Sequence, residues 1–273
     1  MRSMTRAVAS ATRPVTAAGL RLRPTQGLTM IGWHRVDGRQ SRGLSTGVDD
    51  FCRHLDALEA WGAVVLPLDE AVAGLRNGTL PARAVVLTFD DGYASVLETA
   101  WPRLRERGMP ATLFVVTDCL VREVQFAWDL HEAPHQRLRL ATADELVEAA
   151  TDGLDLGSHT VSHAWLPGLA GAELDRELAD SRAALEQLLE RPVTSIAYPT
   201  GGWRPTTRDR AAAAGYSIGI TVDRGRNTTR THPLSLRRTF APSDPADLVR
   251  VLDGAYTFLR PLDTLRNRRG PDR

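Results

Sequence analysis

The chain contains no lysine. All 34 of its basic side chains are arginines, set against 33 acids, for a formal net charge of +1 over 273 residues. Schiff-base and lysine-nucleophile chemistry are therefore excluded. The near balance of charge gives no electrostatic case for a nucleic-acid partner. Cysteine is scarce as well. Cys52 and Cys119 form no metal-type cluster and read as small buried side chains. No run approaches the roughly 18 consecutive apolar residues of a membrane-spanning helix. Residues 1–27 are basic but lack the apolar stretch of a secretory signal, so they read as a poorly ordered segment or an over-extended start. Cytoplasmic location is the default on that reading, and an extracytoplasmic one holds if the start is misassigned. What is present is ordinary for a folded globular chain: 42% hydrophobic and 25% charged residues.

Short apolar runs alternate with amphipathic stretches. Leu28 to Trp33, Ala63 to Leu66, Ala84 to Phe89, Ala111 to Val116, Leu154 to Leu156, Ser195 to Tyr198 and Tyr216 to Val222 read as strands. Helices are expected over Asp49 to Trp61, Leu68 to Leu75, Ser95 to Arg107, Ala143 to Ala150, Glu173 to Glu190, Thr207 to Ala214 and Ala246 to Leu259. Gly62 and Gly78 are stop signals, and Pro102 implies a kink or early break. Continuous apolar strands followed by helices predict a parallel sheet with right-handed crossovers, open or closed into a barrel. One domain spanning residues 28–262 is expected, followed by an arginine-rich tail over residues 263–273.

Three segments at predicted strand ends carry chemistry, because strand C-termini in parallel α/β folds face the site. The first is Thr88-Phe89-Asp90-Asp91-Gly92-Tyr93. Two adjacent carboxylates repel one another and are costly to desolvate. A metal on one, leaving the other as a base, would relieve that, and a pair of helix N-caps is the competing reading. The second is Ser158-His159-Thr160-Val161-Ser162-His163. Its imidazoles at i and i+4 would share one face of a helical turn, as zinc ligands or as two surface histidines. The third, Ala197-Tyr198-Pro199-Thr200-Gly201-Gly202-Trp203, is a tight loop whose backbone N–H groups could form an oxyanion hole or simply a turn.

In this order the segments resemble the motifs of the polysaccharide deacetylase family, also called the NodB-homology domain or carbohydrate esterase family 4. TFDDG resembles the first motif, SHTVSH the second and AYPTG a variant of the third, and the likeness runs over about residues 28–242. The resemblance implies an irregular (β/α) barrel of about seven parallel strands. It implies that Asp91, His159 and His163 hold a divalent metal, zinc first with cobalt or nickel as alternatives. Asp90 would be the general base, and Thr200 would give its backbone N–H to the oxyanion. The implied reaction removes N-acetyl groups from an amino-sugar polymer or oligomer, so the implied partner is an N-acetylated carbohydrate. Tyr198, Pro199, Gly201, Trp128 and Trp203 are the candidate substrate contacts, with core packing the alternative for both tryptophans.

Two positions depart from the family pattern. Where the third motif often begins with an arginine that pairs with the base, this chain has Ala197. Where the last motif usually carries a histidine proton donor, it has Arg238. Arginine is no general acid near neutral pH. We therefore expect Arg238 to replace the missing arginine beside Asp90. His34, at the end of the first strand, is then the preferred proton donor, with His232 as second candidate. A small or lipid-linked amide substrate, or a barrel that binds carbohydrate without catalysis, are the competing readings. The sequence leaves oligomeric state open.

Overall fold

The computed structural model describes residues 27–38, 44–120, 126–132 and 138–263. The proposed leader (residues 1–26) and most of the tail (264–273) lie outside the described residues. Asp263, assigned to the tail on sequence grounds, is instead buried and accepts a 3.0 Å hydrogen bond from the Arg224 amide.

Seven parallel strands form the path of one sheet. In spatial order they are β10 (Thr239–Phe240), β1 (Thr29–Trp33), β5 (Ala84–Phe89), β6 (Thr112–Val115), β7 (Asp155–Ser158), β8 (Ser195–Ala197) and β9 (Ile218–Ile220). A short strand, β4 (Val64–Val65), also pairs with β5, and β2 (Arg35–Val36) pairs with β3 (Ser45–Thr46) apart from the main sheet. The sheet curves into a half-barrel with helices around it, as the family resemblance implies. A narrow seam joins β9 to the segment just before β10. Ile220 bridges Leu236, and the Leu236 and Thr221 amides cross-bond the two segments at 2.8 Å each.

Every residue of β1 and β5 is buried. Alternation then sorts the side chains between two cores. Ile31, Trp33, Val85, Leu87, Phe89, Leu113, Val115 and Ile196 join the larger core. Leu55 and Leu58 of α1 (Val48–Trp61) and Leu178 and Leu185 of α6 (Gly171–Leu189) pack there too. Met30, Val86, Phe114, Ala197, Ile218 and Ile220 turn the other way, into a smaller cluster completed by Leu68, Val72 and Leu75 of α2 (Leu68–Asn77). Interior space is tight. A Cβ on Gly32 would lie 2.9 Å from the Phe240 ring and 3.2 Å from Arg238 Cδ, so the bare backbone there makes room for both side chains.

Helix ends follow the sequence signals closely. α1 and α2 stop at Gly62 and Gly78, both left-handed, and α5 (Ala143–Thr151) opens with a Thr142–Glu145 capping box. The helical stretch expected over Ser95 to Arg107 is present, with the irregularity that Pro102 implied. A π-helical turn spans Val96–Ala100, and α3 (Trp101–Glu106) starts only there, because Pro102 cannot donate into the preceding turn. The expected helix over Ala246 to Leu259 is shorter. After α7 (Pro205–Ala213), α8 (Pro245–Leu252) ends ahead of Gly254, which has φ 77°. Cys52 and Cys119 are both free and half-buried, not fully buried as the sequence suggested. Among the described residues no helix is long and apolar enough to cross a membrane.

Candidate active site at the strand ends

β5 delivers Asp90 and Asp91 from its C-terminal end into opposite surroundings. Neither caps a helix, since the helical segment that follows is preceded by Ser95. The Asp90 amide bonds the Trp33 carbonyl at 3.0 Å, so the chain is still in sheet register there. Its carboxylate meets Arg238 in a fork: Nη1 donates to Oδ1 and Nη2 to Oδ2, both at 2.6 Å. Both side chains are buried. Such a bidentate pair is the strong form of a charge-assisted hydrogen bond. Burial alone would raise the Asp90 pKa, but the guanidinium outweighs it and holds the carboxyl at about 2. The structure thus places Arg238 on Asp90, while Ala197 stays in the smaller core.

Asp91 adopts φ 73°, followed by Gly92 at φ 80°. This left-handed step turns its carboxylate to the other side. Oδ1 is buried with no hydrogen-bond partner and lies 3.5 Å from Nε2 of both His159 and His163. Burial first, and then the neighbouring Asp90, pushes its carboxyl well above the ordinary range. An orphaned carboxylate oxygen aimed at two imidazole nitrogens is what a cation site looks like before the cation is considered. Among the described residues, the three ligand atoms lie within 4.8 Å of one another and form the one such group of histidine, cysteine and acid side chains.

The histidines do not share a helical face, which corrects the expectation from their i, i+4 spacing. His159 follows β7 directly, and residues 159–165 are irregular. Thr160 (φ 69°) and His163 (φ 60°) are both left-handed, each costing about 1 kcal/mol or more for a residue with a side chain. The loop, rather than a helix, brings the rings to 4.9 Å between centroids. His159 Nδ1 bonds the Ala197 carbonyl at 2.8 Å, which fixes the tautomer that leaves Nε2 as a lone pair facing Asp91. Burial holds both imidazoles neutral, His163 down to about 3. Two neutral imidazoles and one carboxylate fit a divalent, borderline-soft cation with coordination positions to spare.

Around this centre, His34 stacks on Phe240 with ring centroids 4.4 Å apart. Burial, with Asp90 pulling the other way, lowers its pKa to about 4, so it rests neutral. His232 is exposed and caps a turn, accepting the Leu234 amide. Thr200 sits in the turn Pro199–Gly201 at φ 55° and is exposed, whereas Pro199 and Gly201 are buried. Gly201 (φ 74°) is pressed against Val222, where a Cβ would come within 2.2 Å, so the turn needs glycine there. Tyr198 is fully buried and donates to the Leu234 carbonyl. Tyr198, Pro199 and Gly201, the candidate substrate contacts of this loop, are therefore all buried. They shape the loop and Thr200 faces out of it. Trp203 is half-buried and donates to Asp223. Trp128, in α4 (Ala127–Glu132), stacks on Phe126 and lies 4.8 Å from the His163 ring.

Sequence reasoning missed a second buried pair. Arg35 bonds Asp129 at 2.7 Å, Asp129 accepts the Tyr93 hydroxyl at 2.8 Å, and Tyr93 accepts Trp128 Nε1 at 3.1 Å. Its members lie up to 94 positions apart, and only their adjacency to His34, Asp91 and Trp128 could have flagged them.

The family model described as polysaccharide deacetylase matches residues 77–219. The chain belongs to the polysaccharide deacetylase family. It is accordingly a hydrolase of the class acting on amide carbon–nitrogen bonds. YxkH of Bacillus subtilis, provisionally named a polysaccharide deacetylase, is 27% identical over 211 residues, covering 77% of this chain and 70% of that one. A poly-beta-1,6-N-acetyl-D-glucosamine N-deacetylase of Staphylococcus aureus is 22% identical over 228 residues, covering 80% and 75%. Among solved structures, the Streptococcus pyogenes deacetylase PplD in complex with acetate superposes with a TM-score of 0.72 at 25% identity, covering 83% of this chain and 98% of that one.

Proposed function

We propose that this polysaccharide deacetylase is metal-dependent and removes N-acetyl groups from N-acetylated amino-sugar polymers or oligomers. The observation that carries the reading is Asp91 Oδ1, buried and unpartnered between two imidazole nitrogens, one residue from an Asp90 already gripped by arginine. The named relative that acts on an N-acetylglucosamine polymer supports the substrate class.

Asp91, His159 and His163 would hold the cation, zinc with cobalt or nickel as alternatives. A divalent ion there would lower the pKa of water and polarise the acetyl carbonyl. Asp90 then takes the proton from the attacking water. The fork to Arg238 keeps it ionised and aimed, and leaves carboxylate lone pairs free for the incoming proton. The exposed Thr200 N–H serves the developing oxyanion. His34, neutral at rest and stacked on Phe240, relays a proton to the departing amine after Asp90 has accepted one. Trp128 and Trp203 are assigned to the groove walls, where sugar faces stack on indoles.

The test is acetate release from N-acetylglucosamine oligomers by chelator-treated protein, before and after zinc or cobalt is restored, alongside elemental mass spectrometry. About one metal per chain and metal-dependent release are expected from a three-ligand catalytic site. Glycan binding with no metal and no acetate would replace this reading with that of a binding protein. A His34→Ala variant with normal turnover would remove His34 from the mechanism.

A further inference from the structure

Glu177 lies outside the three sequence motifs, half-buried on α6. Its Oε2 accepts the amides of Val161 (2.9 Å) and Ser162 (3.0 Å), and its Oε1 the Ser162 hydroxyl (2.5 Å). The Thr160 amide goes to Ser158 Oγ and the His163 amide to Thr160 Oγ1. All four amides from 160 to 163 are therefore held by side-chain oxygens, and no helix is involved. On the loop's other edge, the carbonyls of Thr160 and Val161 accept the amides of Thr117 and Asp118. Neighbouring amides converging on one carboxylate form the backbone concavity that elsewhere binds free anions. Here the anion comes from within the chain. One turn further along α6, Ser181 hydrogen-bonds Ser158, so the same helix holds both the loop and the strand end that leads into it. The strained conformations of Thr160 and His163 persist only where surrounding contacts impose them.

We propose that Glu177 is a positioning residue that fixes the separation of His159 and His163, and through it the affinity of the Asp91–His159–His163 group for a divalent cation. The proposal rests on the reading of that group as a metal site. Without the clamp the loop relaxes from its left-handed residues, and the two Nε2 atoms no longer converge on Asp91.

The experiment titrates cobalt chloride into the chelator-stripped full chain and follows the visible cobalt absorption. Wild type is compared with Glu177→Ala, Glu177→Gln and Glu173→Ala, the last removing an exposed acid one turn earlier on the same helix. Supporting partners of metal ligands are worth about 10–100-fold in affinity, so Glu177→Ala should weaken cobalt binding by that factor and alter the absorption intensity. Glu177→Gln, which keeps one acceptor, should lose less, and Glu173→Ala nothing. Metal-free melting curves report whether each variant folds. If Glu177→Ala does not fold, Glu177→Gln decides. Cobalt affinity within about twofold of wild type in the folded Glu177 variants overturns the proposal, as does an equal loss in Glu173→Ala. If wild type itself binds no cobalt, the metal-site reading fails first.

Discussion

Past Phe89 the chain places two carboxylates side by side and treats them differently. Both oxygens of Asp90 are engaged by Arg238, and the pair holds its proton affinity low. One oxygen of Asp91 has no hydrogen-bond partner, and burial raises its proton affinity. Identical side chains thus acquire opposite proton affinities from what surrounds them, and environments that push two pKa values apart are how one site can separate chemical tasks. Under the proposed function, the ionised aspartate is the one that accepts a proton. The unsatisfied one is the proposed cation ligand.

The contrast is broken most severely by removing Asp91. Asp91→Asn should strip bound metal and abolish acetate release, whereas Asp90→Asn should keep its metal and lose about 10²–10⁴-fold in kcat. Elemental analysis of both variants beside turnover decides it, and metal loss in Asp90→Asn would contradict the division of labour. Next in size, Arg238→Met strands a buried carboxylate and should cost about 3–5 kcal/mol of stability, read as a fall in denaturation midpoint. Adding Asp90→Asn to it should recover part of that loss, because the charge left behind is gone. The smallest effect lies away from the site. His54 is buried in α1 between Trp33 and the Pro242 carbonyl, and burial lowers its pKa below 6.5. The unfolded chain therefore binds this proton first, and metal-free stability should fall as pH drops below about 6.5. Melting curves from pH 7 to 5 should show a shallower slope in His54→Gln than in wild type.

Much of this architecture was legible because buried parallel strands announce themselves as apolar runs. Ala84 to Phe89 was bounded correctly to the residue. Two-residue strands such as Thr239–Phe240 carry no such signal, since pairing along the sheet, not local composition, makes them strands. Spacing misled at His159 and His163. An i, i+4 interval reads as helical, while the convergence here is imposed by distant partners, Glu177 among them, that no local pattern exposes. Arg238 was a different kind of inference: it stands where the family resemblance implies a histidine, and the arginine the same resemblance implies at Ala197 is missing. The Arg35–Asp129 pair had no comparable gap to point to it.

The position of Arg238 next to the last strand has a consequence for how the chain is made. Asp90, Asp91, His159, His163 and Thr200 are all synthesised before residue 238. A nascent chain can therefore hold every one of these residues while Asp90 still lacks its counter-charge. Only when the final strand docks beside β1 does Arg238 reach across it to the end of β5. Pairing of the last strand and delivery of a counter-charge to Asp90 thus depend on neighbouring residues, Thr239 and Arg238, at the far end of the chain.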